Sequence, residues 1–212
     1  MARSRLLVFL KAARPGTVKT RLAATIGPVR ALAAYGELVA TTLAAVAELG
    51  SDLDVELRFT PDEARPEVES WLQPGWRAVP QGEGDLGARL TRAFADAFAD
   101  SCPHVLVIGS DCPYLTAHDL RTALEALAQA DLVLGPAADG GYWLLGLRAA
   151  YPEVFSGINW STPQVRRQTL ARARLAGLTL RELRTLSDVD TEAEWLTWRN
   201  AGSGTASPSL KV

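Results

Sequence analysis

Hydrophobic positions along the chain fall into short dense blocks, separated by polar turns that carry glycine and proline. Leu6 to Leu10 is a continuous apolar run ending at a charged loop, the pattern of a strand buried on both faces. From Val18 to Leu49 the spacing turns helical, with a break at Gly27-Pro28 and a stop at Gly50, which predicts a short helix and then a long one. Asp54 to Phe59 reads as a strand, Pro61 to Trp71 as a helix, Trp76 to Pro80 as a short strand and Leu86 to Ala99 as an amphipathic helix. Val105 to Ile108 is a β-favouring run closed by Gly109, with a helix over Leu120 to Ala128 behind it. Asp131 to Leu134 and Tyr142 to Leu147 are strands flanking a glycine-rich turn. A helix near Pro163 to Ala176, a strand around Leu178 to Leu183 and a helix near Glu192 to Trp198 complete the series. Such alternation predicts an α/β fold with a mostly parallel sheet covered by helices on both faces. A single domain over residues 1–200 is expected, followed by a flexible tail over 201–212.

Composition narrows the function classes. The 212 residues are 48% hydrophobic and 22% charged, enough for one packed core. With 22 basic against 24 acidic residues and a formal charge of −2, the chain has no overall basic field for nucleic acid or an anionic membrane. Any anion site must be local, and the scarce lysines point to one, because Lys11 and Lys19 share a single loop while Lys211 stands alone. Cys102 and Cys112 form no CxxC pattern, and the first apolar run is too short for a signal peptide or a membrane span, so a cytoplasmic setting is expected. His104 and His118, the only histidines, have no triad or zinc-ligand context.

In an open α/β sheet, ligands bind beyond the carboxyl ends of the strands, and here the loops that follow strands hold the polar residues. The first runs through Lys11, Arg14, Gly16, Lys19, Thr20 and Arg21 into a helix, combining cations, a permissive glycine and a helix N-terminus, the parts of a phosphate site without P-loop spacing. The second carries Gly82, Gly84, Asp85 and Gly87, which suit either close approach to a base or ribose or a tight turn capped by Asp85. The third puts Asp111 just after an apolar strand, where a carboxylate can bind a hard cation bridging phosphate oxygens or serve as a turn former. Asp139-Gly140-Gly141-Tyr142 reads equally as a hairpin turn or a substrate loop. Trp160-Ser161-Thr162 precedes a proline-started helix and reads as an N-cap. Asp188 and Asp190 alternate to one side, fitting a second metal ligand, or Asp190 or Thr191 caps the last helix.

Taken together, these motifs resemble those of a bacterial family of small GT-A-like transferases, often labelled as glycosyltransferases of arsenosugar biosynthesis or as radical-SAM and selenodomain-associated transferases. The likeness runs to about Trp198. More distantly, the first loop resembles that of 2-phospholactate guanylyltransferase and of the molybdenum-cofactor guanylyltransferases. The resemblance implies a GT-A-like three-layer α/β/α fold with a mostly parallel central sheet. It implies that Lys11, Lys19 and Arg21 hold nucleotide phosphates, that Asp111 and Asp190 ligate Mg²⁺ (or Mn²⁺), and that Asp139 to Tyr142 and Trp160 to Thr162 line the acceptor side. One departure is Ala13, where the family usually has proline; the proline here is displaced to Pro15.

Two transfers suit such a site. In nucleotidyl transfer from a nucleoside triphosphate to a small phosphorylated acceptor, pyrophosphate leaves, and Lys19, Arg21, Asp111 and Asp139 form the expected catalytic group. In glycosyl transfer from a nucleotide-diphospho-sugar, an acceptor hydroxyl needs a base, and Asp139 or Asp188 can serve. Three cations in the first loop exceed what a diphosphate requires and favour nucleotidyl transfer. A non-catalytic nucleotide-binding regulator is the third reading. The expected partners are a nucleotide or nucleotide-sugar and a small-molecule acceptor, with no nucleic acid and no membrane.

Overall fold

A computed structural model describes residues 3–202 of the chain. It consists of β1 (Arg5–Lys11), α1 (Thr20–Ile26), α2 (Pro28–Ala47), β2 (Asp54–Thr60), α3 (Arg65–Val68), β3 (Arg77–Pro80), α4 (Leu86–Ala99), β4 (Val105–Gly109), α5 (Ala117–Leu127), β5 (Leu132–Pro136), β6 (Tyr142–Leu147), α6 (Val165–Leu175), β7 (Leu180–Glu182) and α7 (Glu192–Gly202). The seven strands form one sheet in the order β3-β2-β1-β4-β6-β5-β7. Neighbours pair in parallel except β6, which is antiparallel to both β4 and β5.

Alternation within β1 divides the core. Leu6, Val8 and Leu10 face a layer built by Val39 and Leu43 of α2 and Leu120 and Leu127 of α5. Leu7 faces the opposite layer, with Leu90 and Phe94 of α4 and Leu170 of α6. Each fully buried leucine contributes about 1.5–3 kcal/mol, so strands apolar on both faces are the most strongly held part of the sheet. By length and composition α2 would pass as a membrane span, but Leu38, Val39 and Val46 are packed inside the protein.

Helix starts follow local chemistry. Gly27, at φ 84°, turns the chain between α1 and α2, and Pro28 opens α2 where its missing N–H costs nothing. Thr116 and Asp119 form a reciprocal capping box, so α5 begins at Ala117, before the apolar periodicity becomes visible. The helix expected over Pro61 to Trp71 is instead a turn, the short α3 and a 3₁₀ turn over Glu69–Trp71. Pro61 and Pro66 lack the N–H groups that a continuous helix would use.

Two expectations about helix ends change. Neither Ser161 nor Thr162 caps α6, because the chain turns once more through Pro163 and Gln164 before the helix starts. Ala201 and Gly202, expected in the tail, close α7. The rest of the expected tail, 203–212, lies outside the described residues.

Candidate functional site

The carboxyl ends of β1, β2, β3 and β4 open onto a cleft of about 650 Å³. Its wall holds Lys11, Lys19, Thr20 and Arg21 from the first loop, Gly84 and Asp85 from the second, Asp111 after β4, and Asp190 ahead of α7. Ser161 closes one side. The topology therefore gathers residues from both ends of the chain into one site.

Lys19 is its centre. The Nζ atom donates to Asp111 Oδ2 at 3.0 Å and to Asp190 Oδ1 at 2.8 Å, while the side chain is only 3% exposed. Burial alone would lower the lysine pKa, but the two carboxylates outweigh it and hold the ammonium above its usual value. Lys19 is also left-handed, with φ 47° and ψ 48°, immediately before α1. That conformation costs a non-glycine residue about 1 kcal/mol or more, strain of the kind concentrated at functional sites. Arg21 extends the cluster, its guanidinium 3.5 Å from Asp190 Oδ2.

Capping is left to other residues. Thr191 Oγ1 accepts from the Glu194 amide at 3.4 Å, and the Glu194 carboxylate accepts from the amides of Asp190 and Thr191 at 2.9 and 2.8 Å. The Asp190 carboxylate is thereby free to face Lys19. Asp188 is pushed up to about 7, first by burial and then by the carboxylates of Asp111, Asp139 and Asp190, with Lys19 opposing. Cys112 is pushed up to about 12, mainly by burial, so its thiol stays protonated and inert.

The expected phosphate loop divides. Lys11, Lys19, Thr20 and Arg21 reach the cleft, but Arg14 is engaged outside it by Glu63 at 3.0 Å and Glu67 at 2.6 Å. Gly16 is an open turn glycine at φ 77°, off the cleft wall. In the second loop Asp85 caps α4 by accepting from the Ala88 amide at 2.8 Å, and it also lines the cleft. Gly87 faces away, since an added Cβ would lie 2.6 Å from Trp160 Nε1. Asp139, Gly140 and Gly141 form the β5–β6 hairpin turn, where Asp139 Oδ1 accepts from the Gly141 amide at 2.8 Å. Tyr142, Trp160 and Thr162 also stand off the cleft wall, with Tyr142 directed into the apolar layer under α6.

Other residues come to the site without a sequence signal of their own. Tyr35 on α2 donates to the Lys11 carbonyl and accepts from the Lys11 amide, both at 3.0 Å, and lies 3.3 Å from Ser110 Oγ. It thus ties the end of β1 to the loop after β4. Gln81 is buried, with its amide donating to the carbonyls of Leu10 and Arg58, and Arg89 Nη1 donates to its Oε1 at 3.3 Å. A tyrosine in an amphipathic helix reads as core, and Gln81 shows no motif at all.

A divalent cation can be tested against this donor set. Asp111 and Asp190 offer hard oxygens, are about 40% exposed and converge on the Lys19 ammonium. Asp111, Asp139 and Asp190 all act on Asp188, which is pushed up to about 7 and so carries only part of a negative charge at neutral pH. Two carboxylate ligands are what the cleft offers such an ion, since among the described residues no group of three or more His, Cys, Asp or Glu side chains is placed to hold one.

The architecture is that of a GT-A-like, nucleotide-diphospho-sugar transferase fold. A crystallised protein from Desulfovibrio desulfuricans G20, provisionally described as a nucleotide-diphospho-sugar transferase, matches with 33% identity and a TM-score of 0.89, covering 97% of this chain and 90% of that one. Two more remote structures share the fold. CMP:2-keto-3-deoxy-manno-octonic acid synthetase complexed with CTP has 11% identity and a TM-score of 0.62, covering 96% of this chain and 99% of the other. Rv0371c of Mycobacterium tuberculosis H37Rv in complex with manganese has 16% identity and a TM-score of 0.59, covering 92% and 97%. The chain belongs to the family described as "Uncharacterized protein conserved in bacteria (DUF2064)", whose pattern matches residues 42–162. No curated protein matches.

Proposed function

We propose that this protein is a metal-dependent transferase that moves a nucleotidyl group from a nucleoside triphosphate to a small phosphorylated acceptor, releasing pyrophosphate. The observation that carries this reading is the convergence of Lys19, Asp111 and Asp190 in a cleft whose wall also holds Lys11 and Arg21. Asp111 and Asp190 would hold Mg²⁺ or Mn²⁺, and a bound ion would supply charge neutralisation at the phosphates. Lys11, Lys19, Thr20 and Arg21 would orient the triphosphate and stabilise the leaving pyrophosphate, while an acceptor phosphate oxygen attacks the α-phosphorus and the α–β bridging bond breaks. Gly84 and Asp85 would lie against the base or ribose. The acceptor would enter on the side of Ser161, with Asp139 adding to the carboxylate field and the turn at Gly140 and Gly141 near that side, while Tyr142, Trp160 and Thr162, off the cleft wall, would support it from behind.

The fold relatives support this reading, since one was solved with CTP and another with manganese. Residues 1–200 acting as one catalytic domain, and a cytoplasmic setting in keeping with the free buried thiols Cys102 and Cys112, complete it. An association with arsenosugar, radical-SAM or selenodomain chemistry belongs to the same proposal as a context for the acceptor.

A second reading is glycosyl transfer from a nucleotide-diphospho-sugar. It is favoured by the description of the 33%-identical relative, with Asp139 or Asp188 orienting the acceptor hydroxyl. The discriminating experiment supplies Mg²⁺ and each nucleoside triphosphate with pooled phosphorylated metabolites and follows pyrophosphate. Pyrophosphate release is expected; transfer only from sugar nucleotides would reverse the order. A regulator that binds nucleotide without turnover would give neither product.

A further inference from the structure

A second cavity, of about 330 Å³, is lined by Pro163, two positions along the chain from Ser161, which lines the cleft. Its floor is the contact between the hairpin turn and the chain entering α6, so close that a Cβ on Gly140 would lie 2.3 Å from the Pro163 carbonyl oxygen. Three guanidinium groups, from Arg166, Arg167 and Arg174, stand around it with one carboxylate, Glu182 of β7. Arg166 is fixed in place: its Nε and Nη2 donate to Glu182 Oε2 at 2.8 and 2.5 Å, and its amide donates to the Gly140 carbonyl at 3.0 Å.

The other two guanidiniums have no carboxylate partner among the described residues. Arg167 reaches only Gln164 Oε1, at 3.4 Å, and Arg174 makes no ion pair among the described residues. Leu170, four positions from both Arg166 and Arg174, lies buried between them on the inner side of α6, which gives the charged rim an apolar base. This local excess of positive charge occurs in a chain whose formal net charge is −2. Guanidinium forks around a concave site of this size match a phosphate or carboxylate.

We propose that this cavity binds an anionic group of the acceptor, remote from the acceptor's reacting oxygen. The inference rests on the transferase reading of the cleft and defines the acceptor class: a small molecule with a phosphate or carboxylate on its far end. That group lodges against Arg167 and Arg174, and the segment 161–163 separates it from the reacting end. Free phosphate has the same chemistry, so the test has two arms.

In the first arm, inorganic phosphate is titrated into the full chain and backbone amide shifts are followed by NMR. Saturable shifts at Gly140, Arg166 and Arg174 are expected in the wild type and in Lys19→Met, and they are lost in the Arg167→Gln/Arg174→Gln double variant. Undiminished shifts in the double variant overturn the site. In the second arm, the double variant is assayed with the acceptor that supports turnover. The acceptor KM is expected to rise roughly tenfold or more, with nucleotide affinity unchanged. An unchanged KM together with lost phosphate shifts overturns the acceptor assignment and leaves a site for free anions. Absence of turnover with every donor overturns the transferase reading and the acceptor assignment with it, whereas the phosphate shifts still decide whether the cavity binds anions.

Discussion

The Nζ atom of Lys19 lies 2.8 Å from Oδ1 of Asp190, a residue 171 positions further along the chain. With Asp111 also on the ammonium, one buried cation joins the first loop, the loop after β4 and the segment ahead of α7. Replacing Lys19 by methionine should therefore weaken nucleoside triphosphate binding by about 1.5–3 kcal/mol, the range of a hydrogen bond to a charged group. Titration calorimetry checks this, and wild-type affinity in Lys19→Met would refute the phosphate role.

The left-handed backbone at Lys19 allows charge and strain to be separated. Lys19→Gly removes the ammonium as Lys19→Met does, but glycine adopts φ 47° without penalty. Lys19→Gly should therefore be more stable than Lys19→Met by about 1 kcal/mol in urea unfolding, while both bind nucleotide equally poorly. Equal stabilities would show that the conformation at this position costs nothing.

Asp111→Asn keeps the shape of the side chain but removes its charge. It is expected to abolish turnover and to make nucleotide binding insensitive to Mg²⁺ or Mn²⁺. Retention of metal-stimulated binding in this variant would exclude Asp111 as a ligand. Metal-independent binding already in the wild type would favour the regulator.

Gly87 tests a glycine by its packing. Gly87→Ala directs a methyl group at Trp160 Nε1 and the Phe155 carbonyl, and should destabilise the fold by about 1–3 kcal/mol. Nucleotide affinity in the folded fraction should hardly change, because Gly84 and Asp85, not Gly87, line the cleft. A selective loss of binding with unchanged stability would return Gly87 to the nucleotide site.

Asp131 gives a pH-dependent prediction away from the cleft. Its carboxylate accepts from Thr179 Oγ1 at 2.6 Å, the Thr179 amide at 2.8 Å and the Tyr151 hydroxyl at 3.2 Å, and pairs with Arg148 at 2.7 Å. The Thr179 bonds, chiefly, hold its pKa below the usual carboxylate value, with burial opposing them and Arg148 and Tyr151 adding smaller contributions. A depressed folded-state pKa contributes stability that is complete above the unfolded value near ~4 and disappears as pH falls through the folded one. Asp131→Asn should thus cost about 1–3 kcal/mol at neutral pH, and the difference should shrink in acid. A constant difference across that range would contradict it.

The sheet and the cleft edge were legible because apolar runs end abruptly where strands meet ligand-facing loops, as at Leu10 and Ile108. The loop motifs pointed to the strand ends that border the cleft but not to the direction of each side chain. Gly84 and Gly87 look alike in sequence, yet one borders the cleft and the other packs on Trp160. Arg14 had the composition of a phosphate ligand, and its partners Glu63 and Glu67, some fifty positions away, could not be read from the loop alone. Tyr35 was hidden for a related reason: its hydroxyl acts on the backbone of Lys11, and backbone hydrogen bonds leave no mark in side-chain patterns.

The meeting of Lys19 with Asp190 also bears on how the protein matures. Closing a loop of that length costs entropy that only later contacts recover, so this ion pair is among the contacts a folding chain can least easily make early. Until the segment ahead of α7 docks, Lys19 lacks one of its two carboxylate partners and the cleft lacks a wall. On the proposed function, a nucleotide that draws on both segments would bind only the fully assembled chain, and by mass action it would protect that chain against local opening of either segment.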